Sequence, residues 1–236
     1  RIQRVQKVIE PIEGTKPDGQ QVIDVMNKMG YEQADYTLDG MLEEISQIVP
    51  FFAGVKWDEL GDNGKQWPVK PDGTDSPLIH ITEFKRGKGA FSFFDFEKSN
   101  ELNKYDKDYP YIITTNRELE HYNCGAMTRR TGNVEILTED VLLINPEDAK
   151  KEGIGDGEFV CVESPRGKVD IKARVTDEVK TGILSSTFHF PEIMLNEITS
   201  DEHDSEAMCP EYKVVAVKIR KSKGKFKTLA EQESND

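Results

Sequence analysis

The chain has 236 residues, of which 36% are hydrophobic and 32% are charged, and its formal net charge is −13. This length allows one large domain or two small ones with a sizeable core, and the acidic balance argues against non-specific binding to nucleic acids. No run of about eighteen apolar residues, which a membrane-spanning helix would need, occurs in the sequence.

The first residue is Arg1 rather than methionine, which predicts that the start is processed, trimmed or internal to a longer polypeptide. The three cysteines, Cys124, Cys161 and Cys209, are odd in number and widely spaced, so they form no sequence-local zinc or iron–sulfur motif. Free thiols favour a reducing compartment, and therefore the cytoplasm.

Two helices are predicted within residues 1–66. The first has apolar residues at helical spacing in "DGQQVIDVMNKMG", and Gly30 ends it. The second, "TLDGMLEEISQIVP", shows the same spacing before Pro50. Because both helices are short and poorly flanked, we expect this segment to complete or pack on a preceding domain rather than to form a core alone.

Residues 67–108 are rich in glycine, proline, aspartate and lysine, and they are predicted to form a wrapped connection. The apolar alternation from Leu78 to Phe84 predicts one strand. The stretch "GKGAFSFFDF" predicts a second strand, which a loop follows. We therefore expect strands here, but not an independently folded unit.

From residue 109 to residue 222 the pattern changes to short strands, small helices and irregular loops. The segments "YPYIITT", "DGEFVCVES", "VDIKARVT" and "EYKVVAVKIRK" each predict a strand. Asn145 and Pro146 predict the start of a helix that Gly153 ends. The whole predicts a mainly β fold with some helix, in the form of a compact barrel with helical insertions. Residues 223–236 are predicted to be a mobile tail.

The stretch "NRELEHYNCGAMTRR", from Asn116 to Arg130, follows a predicted strand and concentrates hydrogen-bond donors. Its three arginines provide guanidinium groups suited to phosphate or carboxylate. Asn123 and His121 could contact the edge of a heterocycle, and Gly125 would allow the backbone to approach a bulky ligand. The alternative interpretation is a solvated loop with helix-capping residues.

A second candidate segment is "STFHFPEIMLNEITSDEHDSEAMCPEYK", which is long and has little periodicity, as functional loops often do. His189 alone is more simply explained as a packing residue between Phe188 and Phe190. The histidines lack metal-ligand spacing, and no nucleophile-elbow, Walker or dinucleotide-fingerprint motif occurs. The residues by themselves predict a cofactor-binding or partner-binding module without its own catalytic apparatus.

These two segments, with "INPEDAKKEGIGDGEFVCVESPRGKV" between them, resemble the C-terminal domain of molybdopterin-dependent oxidoreductases, and most of all that of formate dehydrogenase catalytic subunits. The resemblance is strong from Trp67 to Ile219. It implies a six-stranded double-psi β-barrel over residues 109–222 that closes over one side of a bis(molybdopterin guanine dinucleotide) cofactor with molybdenum or tungsten. It also implies that the whole enzyme interconverts formate and carbon dioxide, while this chain alone is inactive.

The resemblance also implies which residues line the cofactor. In the first segment they are Thr114, Thr115, Arg117, Glu118, His121, Asn123, Met127 and Thr128, and in the second they are His189, Phe190, Asn196, Tyr212 and Lys213. One departure is Asn116, at a position where relatives often have glycine. The metal ligand, the catalytic residues and the iron–sulfur cluster would belong to an upstream portion of the catalytic subunit, so no residue here is predicted to be catalytic or to bind metal.

The implied partners are that upstream portion and electron-transfer subunits. One alternative keeps the family and changes the substrate, as in nitrate reductase or formylmethanofuran dehydrogenase, because a dinucleotide site says little about the substrate. Another alternative is a cofactor-free assembly module, in which substitution of Arg117 or Lys213 would leave the metal content unchanged.

Overall fold

The computed structural model describes residues 1–84 and 86–223. The chain forms two compact units, Arg1–Phe93 and Phe94–Asp236. Residues 224–236, which make up almost all of the predicted tail, lie outside the described residues. A helix with the length and apolar character needed to cross a membrane is absent from the part of the chain that the structure describes.

The first unit contains both predicted helices. α1 spans Asp18–Lys28 and α2 spans Leu38–Ile48, which confirms the two helix predictions. Thr37 caps α2, because its side-chain oxygen accepts a backbone N–H of the first turn. Two short 3-10 turns follow, at Pro50–Phe52 and Trp57–Glu59.

The core of the first unit is small. Its buried cluster consists of Val55, Leu60 and Val69, and Leu42 of α2 packs against it. α1 contributes a single buried residue, Ile23. Most of the apolar surface of α1 therefore stays exposed within this unit.

Neither strand predicted between residues 78 and 97 is found in the described residues. From Leu78 to Phe84 the chain forms bends, and an isolated bridge joins Phe84 to Gly87. The phenylalanine-rich stretch that follows has no regular structure. Both predictions are wrong for this structure, because apolar alternation alone cannot make a strand whose backbone N–H and C=O groups lack a neighbouring strand.

The second unit is a closed barrel of six strands in the order β1-β5-β2-β4-β3-β6. The strands are β1 (Tyr111–Thr115), β2 (Val141–Ile144), β3 (Phe159–Glu163), β4 (Lys168–Val175), β5 (Ile183–Ser186) and β6 (Val215–Lys221). The pairs β1–β5 and β2–β4 are parallel, and the other four pairs are antiparallel. The mainly β fold with a six-stranded barrel is thereby confirmed, together with all four individually predicted strands.

Alternation of side chains explains how the barrel is filled. In β1 the side chains of Tyr111, Ile113 and Thr115 are buried, while the two residues between them are partly exposed. The parallel register places Thr115 beside Ser186, the last residue of β5. Because parallel strands end at the same edge of a sheet, the chain segments that leave β1 and β5 start next to each other.

Among the described residues of the second unit, three α-helices accompany the barrel strands. They are α3 (Asn100–Tyr105), α4 (Asn133–Ile136) and α5 (Pro146–Glu152). The last of these confirms its predicted signals. The Asn145 side chain caps α5, and Gly153 ends it in the left-handed region at φ 66°.

Candidate functional site

A cavity of about 390 Å³ lies where the chain leaves β1 and β5. Its polar lining combines two guanidinium groups, three hydroxyls, one amide and three carboxylates, from Asn116, Arg117, Glu118, Glu120, Glu139, Arg174, Ser185, Ser186 and Thr187. Its apolar lining comes from Ile136, Leu137, Val141 and Leu143. The site therefore offers both donors for anionic oxygens and acceptors for N–H groups.

Asn116 connects the ends of β1 and β5 beside the cavity. Its backbone N–H donates to the Ser186 carbonyl at 2.8 Å, which extends the β1–β5 pairing by one residue. Its side-chain amide donates to the Ser185 hydroxyl. This brings Ser185 and Ser186 into the cavity wall, although the sequence analysis did not single them out as site residues.

Arg117 is one of the two exposed arginines that line the cavity. One guanidinium nitrogen donates to the Asn123 side-chain oxygen at 2.7 Å, and the guanidinium carbon lies 6.0 Å from the centre of the Phe188 ring. These contacts restrain the side chain and occupy one of its five N–H donors. Arg117 and Glu118 are the two predicted site residues that line the cavity itself.

His189 joins the beginning and the middle of the 116–130 loop. Its Nε2 accepts the backbone N–H of Glu118 at 3.1 Å, so the proton sits on Nδ1, which donates to the Asn123 carbonyl at 2.5 Å. The side chain has no exposed surface. His189 therefore shapes the loop that carries Arg117, and does not face the cavity.

Asp140 is a buried carboxylate that holds His189 in place. It accepts hydrogen bonds from the Thr187 hydroxyl, from the His189 N–H at 3.2 Å and from the Phe190 N–H at 2.9 Å. Only 1% of Asp140 is exposed. Asp140 could not be recognised as a site residue from the sequence, since one aspartate before a strand carries no local sign of such a role.

His121 forms a second buried support. Its Nε2–H donates to the Leu137 carbonyl at 2.9 Å, and its Nδ1 accepts from the Thr128 hydroxyl at 3.0 Å. The ring also contacts Phe190 edge-on, with 5.1 Å between the ring centres. Since both ring nitrogens are used within the protein, His121 packs the interior side of the loop.

Lys213, at the end of the second predicted segment, contacts the last residue of β1, just before the first segment begins. Its Nζ donates to the Thr115 carbonyl at 2.5 Å and lies 3.5 Å from the Thr115 hydroxyl. The turn that carries Lys213 is thereby fixed to the end of β1, next to Thr114, which pairs with Ser185. Its neighbour Tyr212 is 41% exposed.

Met127 and Asn196 are two of the exposed residues among those predicted for the site. Met127 is 65% exposed, just before a 3-10 turn at Thr128–Arg130. Asn196 is exposed on another 3-10 turn, Leu195–Ile198, where its carbonyl accepts from Thr199. Neither residue belongs to the cavity lining.

Within residues 1–84 and 86–223, no group of three or more His, Cys, Asp or Glu side chains is arranged to hold a metal ion. Cys124 is exposed, and Cys161 is buried in β3, where burial raises the pKa of its thiol above the ordinary value.

We expect that Gly125→Ala will distort the loop. Gly125 has φ +70°, and a Cβ atom there would lie 2.6 Å from the His189 carbonyl oxygen. A strained backbone conformation of this kind costs about 1–3 kcal/mol, so urea unfolding followed by circular dichroism should show a loss of that size. The control is Gly132→Ala, because Gly132 has φ −60° and nothing lies within 4 Å of its Cβ position. Equal stability of the two variants would contradict this account of the loop.

Comparison with known proteins places this site within a described domain. Residues 111–216 match the molydopterin dinucleotide binding domain. The chain is 36% identical over 225 residues to the F420-dependent formate dehydrogenase 2 subunit alpha of Methanococcus maripaludis, a match that covers 94% of this chain and 33% of the relative. It is 34% identical over 225 residues to the F420-dependent formate dehydrogenase subunit alpha of Methanocaldococcus jannaschii, with the same coverage.

Among solved structures, acetylene hydratase from Pelobacter acetylenicus is similar, with a TM-score of 0.60 and 19% identity. The likeness covers 92% of this chain and 34% of that one, and at this identity it concerns the fold alone. This chain thus spans about a third of the length of the relatives it matches.

Proposed function

Because the chain belongs to the molybdopterin-dependent oxidoreductases through its molydopterin dinucleotide binding domain, we propose that it is the C-terminal part of a formate dehydrogenase catalytic subunit. In this proposal the cavity beside β1 and β5 holds part of a bis(molybdopterin guanine dinucleotide). The observation that carries it is the mixed donor and acceptor lining of that cavity, within the residues that match the domain.

The residues at the cavity fit such a group chemically. A pyrophosphate needs cationic, hydroxyl and N–H donors, which Arg117, Arg174 and the adjacent serines supply. A guanine or pterin ring also carries N–H donors, and these need acceptors such as the carboxylates of Glu118 and Glu139. A cavity for inorganic phosphate alone would gain nothing from those carboxylates, because like charges repel.

In the reaction, the role of this chain is to bind and orient the cofactor. The cofactor, with molybdenum or tungsten, supplies the two-electron chemistry of formate oxidation. Arg117, restrained by Asn123, neutralises charge on the dinucleotide, and the His189 bridge keeps the loop in one shape. The metal ligand and the iron–sulfur cluster belong to the remaining portion of the polypeptide, and electrons leave through partner subunits. The chain alone is therefore expected to be inactive.

Arg117→Met tests the proposal in the native complex. A hydrogen bond to a charged group contributes about 1.5–3 kcal/mol, so loss of this guanidinium should lower the guanine nucleotide and the group-six metal that remain after gel filtration. The control is Arg130→Met, since Arg130 is exposed on the same loop and does not line the cavity.

Two results would overturn the proposal. One is a native complex that contains neither guanine nucleotide nor a group-six metal, which is what a cofactor-free assembly module predicts. The other is an Arg117→Met variant that retains as much cofactor as Arg130→Met. Formate-dependent dye reduction by the same native complex separates formate dehydrogenase from nitrate reductase or formylmethanofuran dehydrogenase.

A further inference from the structure

Most apolar side chains of α1 face outward, although Ile23 is buried. Val22, Val25, Met26 and Met29 follow one another at steps of three, one and three residues, so they form one stripe along the helix and its C-terminal cap. Met26, at the edge of the stripe, is partly buried. Val22 is 60% exposed, Val25 is 56% exposed and Met29 is 81% exposed. We call these four residues the α1 stripe.

The first unit does not cover this stripe. Its buried cluster is packed by Leu42 of α2, and α1 instead rests on Tyr36 through another side of the helix. The Tyr36 ring approaches so closely that a Cβ on Gly19 would lie 2.4 Å from it, and the Tyr36 N–H donates to the Gln20 side chain at 2.9 Å. An amphipathic helix gains most of its stability when its apolar side packs against another surface. Among the described residues of the first unit, the α1 stripe lacks such a packing surface.

The relatives of this chain contain much more polypeptide that could contact the equivalent of α1. The match to the Methanococcus maripaludis subunit covers 94% of this chain and therefore includes α1, yet it covers only 33% of that subunit. In that relative the equivalent of α1 thus belongs to a polypeptide with much additional surface. Building on the proposed function, we infer that the α1 stripe packs into an apolar groove of the remaining portion of the catalytic polypeptide.

The chemistry of α1 argues against a lipid surface. Helices that lie on membranes carry many lysines or arginines on their polar side. The polar side of α1 carries Asp24 and Lys28, and Asp24 is paired with Lys16. Anionic lipid would also be repelled by a chain with a net charge of −13. Methionines suit a protein groove, because their flexible side chains fill irregular spaces.

A second copy of the chain is a poorer occupant as well. A stable dimer buries about 800 Å² on each partner, which is more than the stripe of one short helix provides. A groove in the same polypeptide needs far less area, because the covalent connection already holds the two surfaces at high effective concentration.

Oxidation of Met29 tests the inference without any substitution. Hydrogen peroxide should oxidise Met29 several-fold more slowly in the native holoenzyme than in the same protein unfolded in urea, as measured by peptide mass spectrometry. In the 236-residue chain alone, where Met29 is 81% exposed, the rate should approach that of the unfolded protein. A holoenzyme in which Met29 reacts as fast as in urea overturns the inference.

Substitution then assigns the protection to the stripe. Val22→Asp or the milder Val25→Gln should raise the Met29 oxidation rate in the holoenzyme, while Gln21→Glu, on the polar side of the helix, should leave it unchanged. Protection in the chain alone that grows with concentration would identify a second copy and overturn the inference. Protection by anionic phospholipid vesicles would overturn it in favour of a membrane.

Cofactor content of the same holoenzyme separates the two proposals. Slow Met29 oxidation in a protein that lacks guanine nucleotide and a group-six metal supports the docking of α1 and overturns the proposed function. Fast oxidation in a protein that holds the cofactor overturns the docking alone.

Discussion

Glu101→Gln is expected to destabilise the barrel by about 3–5 kcal/mol, because it removes the buried carboxylate that pairs with the largely buried guanidinium of Arg166. The other carboxylate near that guanidinium, Asp201 at 3.8 Å, is exposed and compensates little. Glu101 of α3 has no exposed surface. Its carboxylate accepts from Arg166 at 2.6 and 3.0 Å, from the Ser200 hydroxyl at 3.1 Å and from the Ala216 N–H at 3.1 Å. One side chain thus joins α3, the β3–β4 turn, the loop that carries Ser200, and β6.

The charge of Arg166 makes this contact sensitive. Burial works against its charged form, but the hydrogen bonds to Glu101, together with the negative charges of Glu101 and Asp201, outweigh that effect and raise the pKa of Arg166 above its ordinary value. Because an arginine side chain stays protonated in proteins, the guanidinium remains charged when the Glu101 carboxylate is replaced. It follows that Glu101→Gln combined with Arg166→Met should be less destabilised than Glu101→Gln alone.

Urea unfolding followed by circular dichroism measures the loss, and hydrogen exchange at the Ala216 amide reports the contact directly. Lys104→Met is the matched control on α3, because it breaks only the pair with Glu202, in which Lys104 is mostly exposed. A Glu101→Gln variant as stable as Lys104→Met would show that Glu101 does not anchor α3.

Local signals explain why three helices could be predicted from the sequence. In α5, Asn145 supplies the cap, Pro146 fits the first turn and Gly153 adopts the left-handed conformation that ends the helix. Such signals act within a few residues. The strand predicted for the phenylalanine-rich stretch is not found, because a strand needs a neighbouring strand that its own residues do not specify.

The pattern of short strands predicts a compact barrel, but its six-stranded double-psi form is expected only from the resemblance to a family. The alternation within β1 indicates a half-buried strand, but it does not state that β5 lies beside it in parallel. For this reason Arg117 could be proposed from the density of donors around it, whereas Ser185 and Asp140 could not. Their roles arise only when the β1–β5 edge forms and His189 reaches under the loop.

Asp140→Asn is expected to show the second large effect, on the loop that carries Arg117. The carboxylate accepts three hydrogen bonds, from the Thr187 hydroxyl and from the backbone N–H groups of His189 and Phe190. An asparagine amide can offer one acceptor oxygen, so its NH₂ group must face a backbone donor. Hydrogen bonds to charged groups contribute about 1.5–3 kcal/mol each, and we expect a loss of about 3 kcal/mol in the free energy of unfolding.

The loop should respond as well as the barrel. Without Asp140 the backbone at His189 loses its anchor, and the bridge from His189 to the Glu118 N–H and the Asn123 carbonyl loosens with it. Hydrogen exchange at the Glu118 amide should therefore accelerate more than exchange at the amides of β3.

Glu139→Gln is the control, since the adjacent carboxylate forms a partly exposed pair with Lys172 at 2.8 Å. Pairs of this kind contribute about 0–1 kcal/mol, so the variant should unfold at nearly the original urea concentration. If Asp140→Asn unfolds at the same urea concentration and leaves Glu118 exchange unchanged, the loop is held by other contacts. In that case Asp140, His189 and Arg117 would be neighbours in the structure whose contributions to stability are independent.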